Sequence, residues 1–156
     1  MSALVPAGGA TGGAVDGYRG PLPAVTNLNR PHWEGLTEHR LLVQRCSACG
    51  HRWLPPGPWC VACWSRDVEW VECSGRGIVT SFVRFHQQYY RDGPWEVPYA
   101  VAEVTLEEGP RLYAQLVDVE PAVGLAVEVC YDDLAPDLSV ARFRARGPGA
   151  PTEPPQ

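Results

Sequence analysis

Four cysteines are the residues of this sequence whose type and spacing most clearly predict chemistry. They form two Cys-x-x-Cys pairs ten residues apart: Cys46, Cys49, Cys60 and Cys63. Two such pairs can present four thiolates tetrahedrally to one zinc ion, and a segment with so little apolar core would gain folding energy from that ion. An iron centre for electron transfer uses the same ligands, and a thiol–disulfide pair or a site that has lost its metal are further alternatives. We expect a structural zinc ribbon.

The residues between and beside the cysteines favour that expectation. Pro55, Pro56 and Pro58 stiffen the connection between the pairs and indicate a hairpin, whereas a redox Cys-x-x-Cys normally opens a helix. Gly50 follows the first pair, where a knuckle often ends on positive φ. Trp64 holds the equivalent place after the second pair and departs from the pattern.

No catalytic site can be assembled from the remaining polar residues. A hydrolytic or acyl-transfer enzyme needs a nucleophile beside a base, and Cys73 has no His nearby in the sequence. Cys73 and Cys130 lie in apolar runs and are expected to be buried free thiols. The absence of Lys excludes Schiff-base chemistry. We therefore assign no catalytic residue.

A loop rich in aromatic residues is the strongest candidate for recognition. The segment HQQYYRDGPWEVPY, residues 86–99, joins two predicted strands. Loops that expose aromatic rings and Arg offer a large contact area at low entropic cost, and the alternative is that the rings cap one end of a barrel. The candidate binding residues are His86, Tyr89, Tyr90, Arg91, Trp95 and Tyr99.

Hydrophobic periodicity predicts the elements that must position these residues. We expect disorder over 1–22, a helical segment over 23–44 that begins near Asn29 and Pro31, the ribbon over 45–70, a barrel over 71–146 and a disordered tail over 147–156. Five alternating runs predict the barrel strands: 77–86, 98–106, 111–119, 126–131 and 139–144. The Gly-rich segment 74–77 predicts a bulge that bends the first of them. The fold class is mainly β, with a small, strongly bent barrel.

Charge and composition narrow the function classes. The net charge is −5, and all 13 cationic side chains are Arg, which argues against a general polyanion binder. No apolar run is long enough to span a membrane and no signal peptide is recognisable, so a cytoplasmic location is expected. That compartment disfavours structural disulfides and favours metal binding by the paired cysteines.

The chain resembles a known family along most of its length. The carrying segments run from NRPHWEGLTEHRLLVQRCSACGHRWLPPGPWC through SGRGIVTSFVRFH and PYAVAEVTLEEGPRLYAQLVDVE to VGLAVEVCYDD. They are similar to the domain-of-unknown-function-thirty-five (DUF35) family, over about residues 23–144. The resemblance implies an N-terminal helical segment, a rubredoxin-like zinc ribbon and a five-stranded OB-fold barrel, with the four cysteines as ligands of a structural zinc.

The resemblance also implies a function and its partners. Members accompany thiolase-superfamily enzymes, including the lipid-transfer-protein-like aldolases of steroid side-chain degradation, and some are joined to MaoC-like hydratases. The resemblance implies that this chain is a non-catalytic subunit in a hetero-oligomer with a thiolase-like acyl-CoA enzyme. Candidates to contact the phosphates of that enzyme's CoA substrate are Arg76, Arg84 and Arg91. The alternative is a nucleic-acid-binding module, because OB barrels bind oligonucleotides. Acidic residues such as Glu103 on the predicted sheet, with the missing Lys, argue against it.

Overall fold

The computed structural model describes residue 18 and residues 20–89 and 95–147. Their elements are α1 (Arg30–Thr37), β1 (Leu41–Cys46), β2 (Arg52–Trp53), β3 (Val68–Cys73), β4 (Arg76–Phe85), β5 (Tyr99–Leu106), β6 (Arg111–Leu116), β7 (Ala126–Ala135) and β8 (Leu138–Ala145). Strands β2-β1-β3 form one sheet, and β4-β5-β6-β8-β7 form a closed barrel. The predicted fold class, a short helix, a ribbon and a five-stranded barrel, is confirmed.

The ribbon sheet is longer than the predicted ribbon segment. The ribbon sheet extends from Leu41 to Cys73, beyond the expected range 45–70, because β1 and β3 pair along their full lengths. Most of the two segments expected to be disordered, residues 1–17, 19 and 148–156, lies outside the described residues. Within the first of them, Tyr18 is buried and donates a hydrogen bond from its hydroxyl to the carbonyl of Pro21 at 3.3 Å.

The short helix begins and ends where local chemistry allows. Asn29 precedes it and Pro31 lies in its first turn, where a missing N–H costs nothing. The Asn29 side chain accepts a hydrogen bond from the backbone N–H of Thr26, at 2.7 Å, instead of capping the helix. The helix ends at Thr37, and His39 takes a left-handed φ of 55° that turns the chain into β1. Leu36 is the buried apolar anchor of α1.

Two glycines bring the barrel strands close together. The ideal Cβ position at Gly75, which has φ +74°, lies 2.1 Å from Cγ1 of Val129, and the one at Gly77 lies 2.5 Å from the carbonyl oxygen of Thr105. Neither site has room for a larger side chain. The bulge predicted at residues 74–77 is instead found between Val79 and Ser81. The two glycines allow neighbouring strands to approach closely. In a sequence, glycines with this role look the same as glycines at a bulge.

One apolar core joins the helix, the ribbon and the barrel. Leu36 of α1 and Leu41 and Val43 of β1 lie in the same buried cluster as Val104 and Phe143 of the barrel. A second, small cluster inside the ribbon consists of Cys46, Trp53 and Cys60, with Val68 packed against it. The ribbon therefore has almost no apolar core of its own at its cysteine end, where the thiols gather.

Candidate metal centre and aromatic surface

The four predicted cysteines lie together at the tip of the ribbon. Their sulfur atoms all lie within 4.8 Å of one another. The Sγ atoms of Cys46 and Cys63 are 3.6 Å apart, as are those of Cys49 and Cys60. A disulfide needs about 2.05 Å, whereas a tetrahedron with zinc–sulfur bonds of about 2.3 Å has edges of about 3.8 Å. The cluster therefore has the dimensions of a four-thiolate metal centre.

The two knuckles that carry the thiols have the same backbone geometry. The N–H of Gly50 donates to the carbonyl of Cys46 at 2.8 Å, and the N–H of Trp64 donates to the carbonyl of Cys60 at 2.9 Å. Both residues that end a knuckle are left-handed, with φ +75° at Gly50 and +63° at Trp64. The departure noted at Trp64 in the sequence is thus tolerated with the same turn. The repeat places two thiols on each side of one central point.

Each thiol in the cluster affects how readily its neighbours ionise. Desolvation raises the pKa of Cys46, but the backbone N–H groups of Cys49 and Ala48 and the neighbouring thiols lower it overall, to about 7. At Cys63 the backbone N–H of Ser65 lowers the pKa, yet the thiols of Cys49 and Cys46 raise it to about 12. One thiolate therefore forms readily and disfavours the next. A divalent cation removes that repulsion, so the donor set fits a structural zinc.

The two other cysteines are not placed for nucleophilic chemistry. Cys73 is buried, and burial followed by the charge of Glu108 raises the pKa of its thiol to about 12. Cys130 is only half-buried, where full burial was expected. Burial also raises its thiol pKa. Both environments disfavour the thiolate that a nucleophile needs.

His39, Asp133 and Ser139 form a cluster with the same residue types as a hydrolase triad. The Nε2 atom of His39 lies 2.9 Å from Oδ1 of Asp133, and the hydroxyl of Ser139 donates to the same carboxylate oxygen at 2.6 Å. In a triad the serine proton goes to the imidazole. Here both groups bond to the carboxylate, so the cluster joins the end of α1 to the β7–β8 hairpin. It gives no reason to assign a catalytic residue.

Three aromatic residues of segment 86–99 form a partly exposed cluster of rings with Phe85, where β4 ends and β5 begins. The ring of Phe85 stacks on that of Tyr99 with centroids 5.0 Å apart, and Tyr89 meets Phe85 edge-on at 5.9 Å. Trp95 lies 6.2 Å from Tyr99. Tyr89 is 67% exposed, and the ring of His86 is also exposed. The structure therefore brings three of the predicted residues, Tyr89, Trp95 and Tyr99, together around Phe85; Tyr90 and Arg91 lie outside the described residues.

The two predicted arginines of β4 are engaged in ion pairs and lie far apart. The guanidinium of Arg76 pairs with Glu107 at 3.1 Å, and that of Arg84 pairs with Glu120. They stand eight residues apart on one strand, which corresponds to about 26 Å. The two side chains therefore do not form one positive patch.

Tyr113 is a surface residue that the sequence did not single out. It is 72% exposed, yet its hydroxyl donates to Oε2 of Glu103 at 2.7 Å. That carboxylate also accepts from the hydroxyl of Thr80, at 2.7 Å. A cleft of about 350 Å³ runs from Tyr113 past Val101 to the aromatic loop. The alternating pattern of β6 could have predicted that Tyr113 lies on the outer face of the barrel. It could not have shown that the hydroxyl of Tyr113 donates a hydrogen bond to Glu103.

The fold and the thiol cluster define a zinc-ribbon and OB-fold protein. Two family models match consecutive parts of the chain, the rubredoxin-like zinc ribbon domain of ChsH2 over residues 33–69 and its C-terminal OB-fold domain over residues 70–132. In a search of solved structures, a chain of the "Ltp2-ChsH2(DUF35) aldolase" is 36% identical with a TM-score of 0.73, and the match covers 80% of this chain and 98% of that one. The chain belongs to the DUF35 family, which confirms the predicted resemblance.

Two curated relatives are subunits of named enzymes. A "Probable enoyl-CoA hydratase alpha subunit" of Thermomonospora curvata is 37% identical over 136 residues, which are 85% of this chain and 41% of the relative. The "Benzoylsuccinyl-CoA thiolase subunit BbsA" of Thauera aromatica is 31% identical over 107 residues, 69% of this chain and 67% of the relative. The chain thus spans less than half of the hydratase subunit. These relatives and the aldolase support a subunit of an enzyme complex.

Proposed function

We propose that the chain is a non-catalytic accessory subunit that binds a thiolase-superfamily acyl-CoA enzyme, a thiolase or a lipid-transfer-protein-like aldolase, in a hetero-oligomer. The observation that carries the proposal is the aromatic cluster beside the barrel, in which Tyr89 is exposed and Phe85, Trp95 and Tyr99 are half-buried. Rigid aromatic side chains of this kind are typical centres of protein interfaces. The partner supplies the nucleophile and the base.

The zinc ribbon has a structural role in this proposal. Cys46, Cys49, Cys60 and Cys63 hold one zinc ion, which folds the ribbon tip and keeps β1 and β3 in register. The binding of this metal stabilises the accessory subunit as a platform and takes no part in the acyl-CoA reaction. None of the helical structure within residues 20–89 and 95–147 is long and apolar enough to cross a membrane, and we propose a cytoplasmic site of action.

We propose that the partner's substrate is a bulky acyl-CoA, such as the CoA thioester of a steroid side chain. The cleft of about 350 Å³ beside Tyr99 and Tyr113 has an apolar lining that suits a bulky acyl group of the partner's substrate. Direct contact with CoA phosphates by Arg76 or Arg84 would require each guanidinium to leave its carboxylate. Arg91 remains a candidate for that contact, and a MaoC-like hydratase is a further proposed partner.

The nucleic-acid alternative meets opposing charges on the barrel. Glu103 lies on the outer face of β5 and accepts hydrogen bonds from Tyr113 and Thr80. Their hydrogen bonds lower the pKa of the Glu103 carboxyl, so it is ionised at neutral pH. The Glu103 carboxylate, which lies 3.8 Å from the guanidinium of Arg111, offers no positive charge to a phosphate backbone, and the net charge of −5 opposes binding.

The test is co-expression with the thiolase-like protein encoded nearest to this chain, followed by size-exclusion chromatography with light scattering. The proposal predicts that the two chains co-elute in a defined ratio. Elution as separate species, by a chain that is folded and zinc-loaded, would contradict it. Retention of the isolated chain on an oligonucleotide column, lost steeply with added salt, would instead support the nucleic-acid alternative.

A further inference from the structure

The second half of β4 is a strand edge with a partner on one side only. β4 pairs with β7 over Arg76, Gly77 and Ile78. Val79 then bonds to the preceding loop, since its N–H donates to the carbonyl of Leu125 at 3.0 Å and its carbonyl accepts from Gly124 at 2.8 Å. After the bulge that follows, β4 pairs only with β5 among the described residues. Within residues 20–89 and 95–147, the edge Thr80–Phe85 therefore leaves alternate N–H and C=O groups without a backbone partner.

The composition of this edge favours strand pairing. Its sequence, TSFVRF, is rich in β-branched and aromatic residues, and Phe82 and Val83 are 37% and 55% exposed. Natural proteins protect such an edge with charged side chains, Pro or a bulge; here a bulge precedes the edge, between Val79 and Ser81, and neither Lys nor Pro lies within it. The single charge, on Arg84, is neutralised by Glu120. The exposed apolar side chains and the unpaired backbone make this edge suited to an added strand.

The edge is continuous with the aromatic surface. Cross-strand pairing places Val83 beside Val101 and Phe85 beside Tyr99, so these side chains lie on the same outer face as the stacked rings. A strand added alongside β4 would bury its alternate side chains against Val83 and Phe85. Main-chain hydrogen bonds and the aromatic cluster would then act on the same partner.

We infer that the partner enzyme contributes an extended segment of about six residues that pairs with Thr80–Phe85 as an added strand of the barrel sheet. This inference rests on the proposed function and specifies how the partner binds. The segment carries apolar or β-branched residues at alternate positions, which pack on Val83 and Phe85. A polyanion is a poor occupant, because Arg84 already pairs with Glu120. If a second copy of this chain paired along the same edge, it would block the partner enzyme from binding there.

Amide hydrogen exchange tests this inference directly, because strand addition protects backbone N–H groups that side-chain contact alone leaves open. The measurement compares the zinc-loaded chain alone with its complex with the thiolase-like protein encoded nearest to it. We expect peptides over residues 80–85 to exchange roughly tenfold more slowly in the complex. Peptides over residues 125–130 serve as the internal reference and should be unchanged.

A pair of Val→Lys substitutions provides the matched comparison. Val83→Lys places a charge on the edge and should weaken the complex by about tenfold or more. Val123→Lys changes another exposed valine of the barrel, on the loop before β7, and should bind as wild type. Both sites are exposed, so both variants should fold and retain zinc.

The possible outcomes separate this inference from the proposed function. A stable complex without protection of residues 80–85, or full binding by Val83→Lys, would overturn the strand addition and leave the accessory-subunit role intact. Failure to form any complex would overturn both. Protection of these amides in a dimer of the isolated chain would show that a second copy holds the edge, and would also overturn the inference.

Discussion

Trp64 illustrates at the scale of one residue how the metal centre shapes the chain. Its φ of +63° is the conformation that Gly50 adopts in the other knuckle, and a side chain there costs about 1–2 kcal/mol. The ring is 72% exposed, so burial does not repay that cost. Structural zinc sites contribute on the order of 10 kcal/mol to folding, which is ample. The thiols, more than the apolar residues around them, therefore determine the fold of the ribbon tip.

The first prediction concerns one ligand. Cys49→Ser removes a thiolate and should abolish stoichiometric zinc binding, because three thiolates and a hydroxyl bind the ion far more weakly. The measurement is metal content after gel filtration, together with the thermal midpoint of unfolding. Cys130→Ser, outside the cluster, should retain one zinc per chain. Unchanged metal content in Cys49→Ser would show that the site is wrongly assigned.

Single residues differ in how far sequence alone predicts their role. The four cysteines were predicted because their spacing is itself the geometric requirement for a zinc site. Tyr113 was not predicted, because its position on the barrel surface depends on a hydrogen bond to Glu103 on the neighbouring strand. Arg84 was proposed for phosphate contact, and only the fold shows that Glu120 neutralises it. Spacing predicts local chemistry, whereas contacts between distant segments need the structure.

At the scale of the element, β4 combines a glycine start, a bulge and an open edge. Gly77→Ala should destabilise the barrel by about 1–3 kcal/mol, because the new methyl group would lie 2.5 Å from the backbone carbonyl of Thr105. Urea unfolding of the zinc-loaded protein measures this cost. Gly147→Ala, with nothing within 4 Å of its Cβ position, should change stability by only a few tenths of a kcal/mol. Equal stability of the two variants would contradict the close approach of β4 and β5.

The aromatic loop gives the second element-scale prediction. Replacing Tyr89, Tyr90 and Trp95 together by Ala should weaken binding to the thiolase-like partner while the barrel stays folded. Size-exclusion chromatography and circular dichroism measure these two properties. Trp64→Ala removes a ring of similar exposure from the ribbon and should leave binding unchanged. An intact complex in the triple variant would exclude the loop from the interface.

The alternating sequence patterns predicted which segments are strands more accurately than they predicted where each strand ends. Alternation was clear in β5, whose residues are alternately half-buried and buried. β7 runs four residues past the predicted Tyr131, to Ala135, because it pairs with β8 through the acidic residues Asp132 and Asp133. Charged residues weaken a strand signal in sequence, yet on an exposed hairpin they remain solvated and pair normally.

At the scale of the whole molecule, the ribbon and barrel are not independent. Leu41 and Val43 of the ribbon sheet are fully buried in the same core as Phe143 of the barrel. We therefore predict a single calorimetric unfolding transition for the zinc-loaded chain, and a lower midpoint after removal of zinc by a chelator. Two separate transitions, with the later one insensitive to the chelator, would contradict the shared core.

The most direct test of the central claim is an acyl-CoA turnover assay of the thiolase-like partner, with and without this chain. We expect the partner to be inactive or much less active alone and to regain activity when the zinc-loaded chain is added, and we expect no activity from the chain alone. Equal turnover by the partner with and without the chain would contradict the accessory-subunit role.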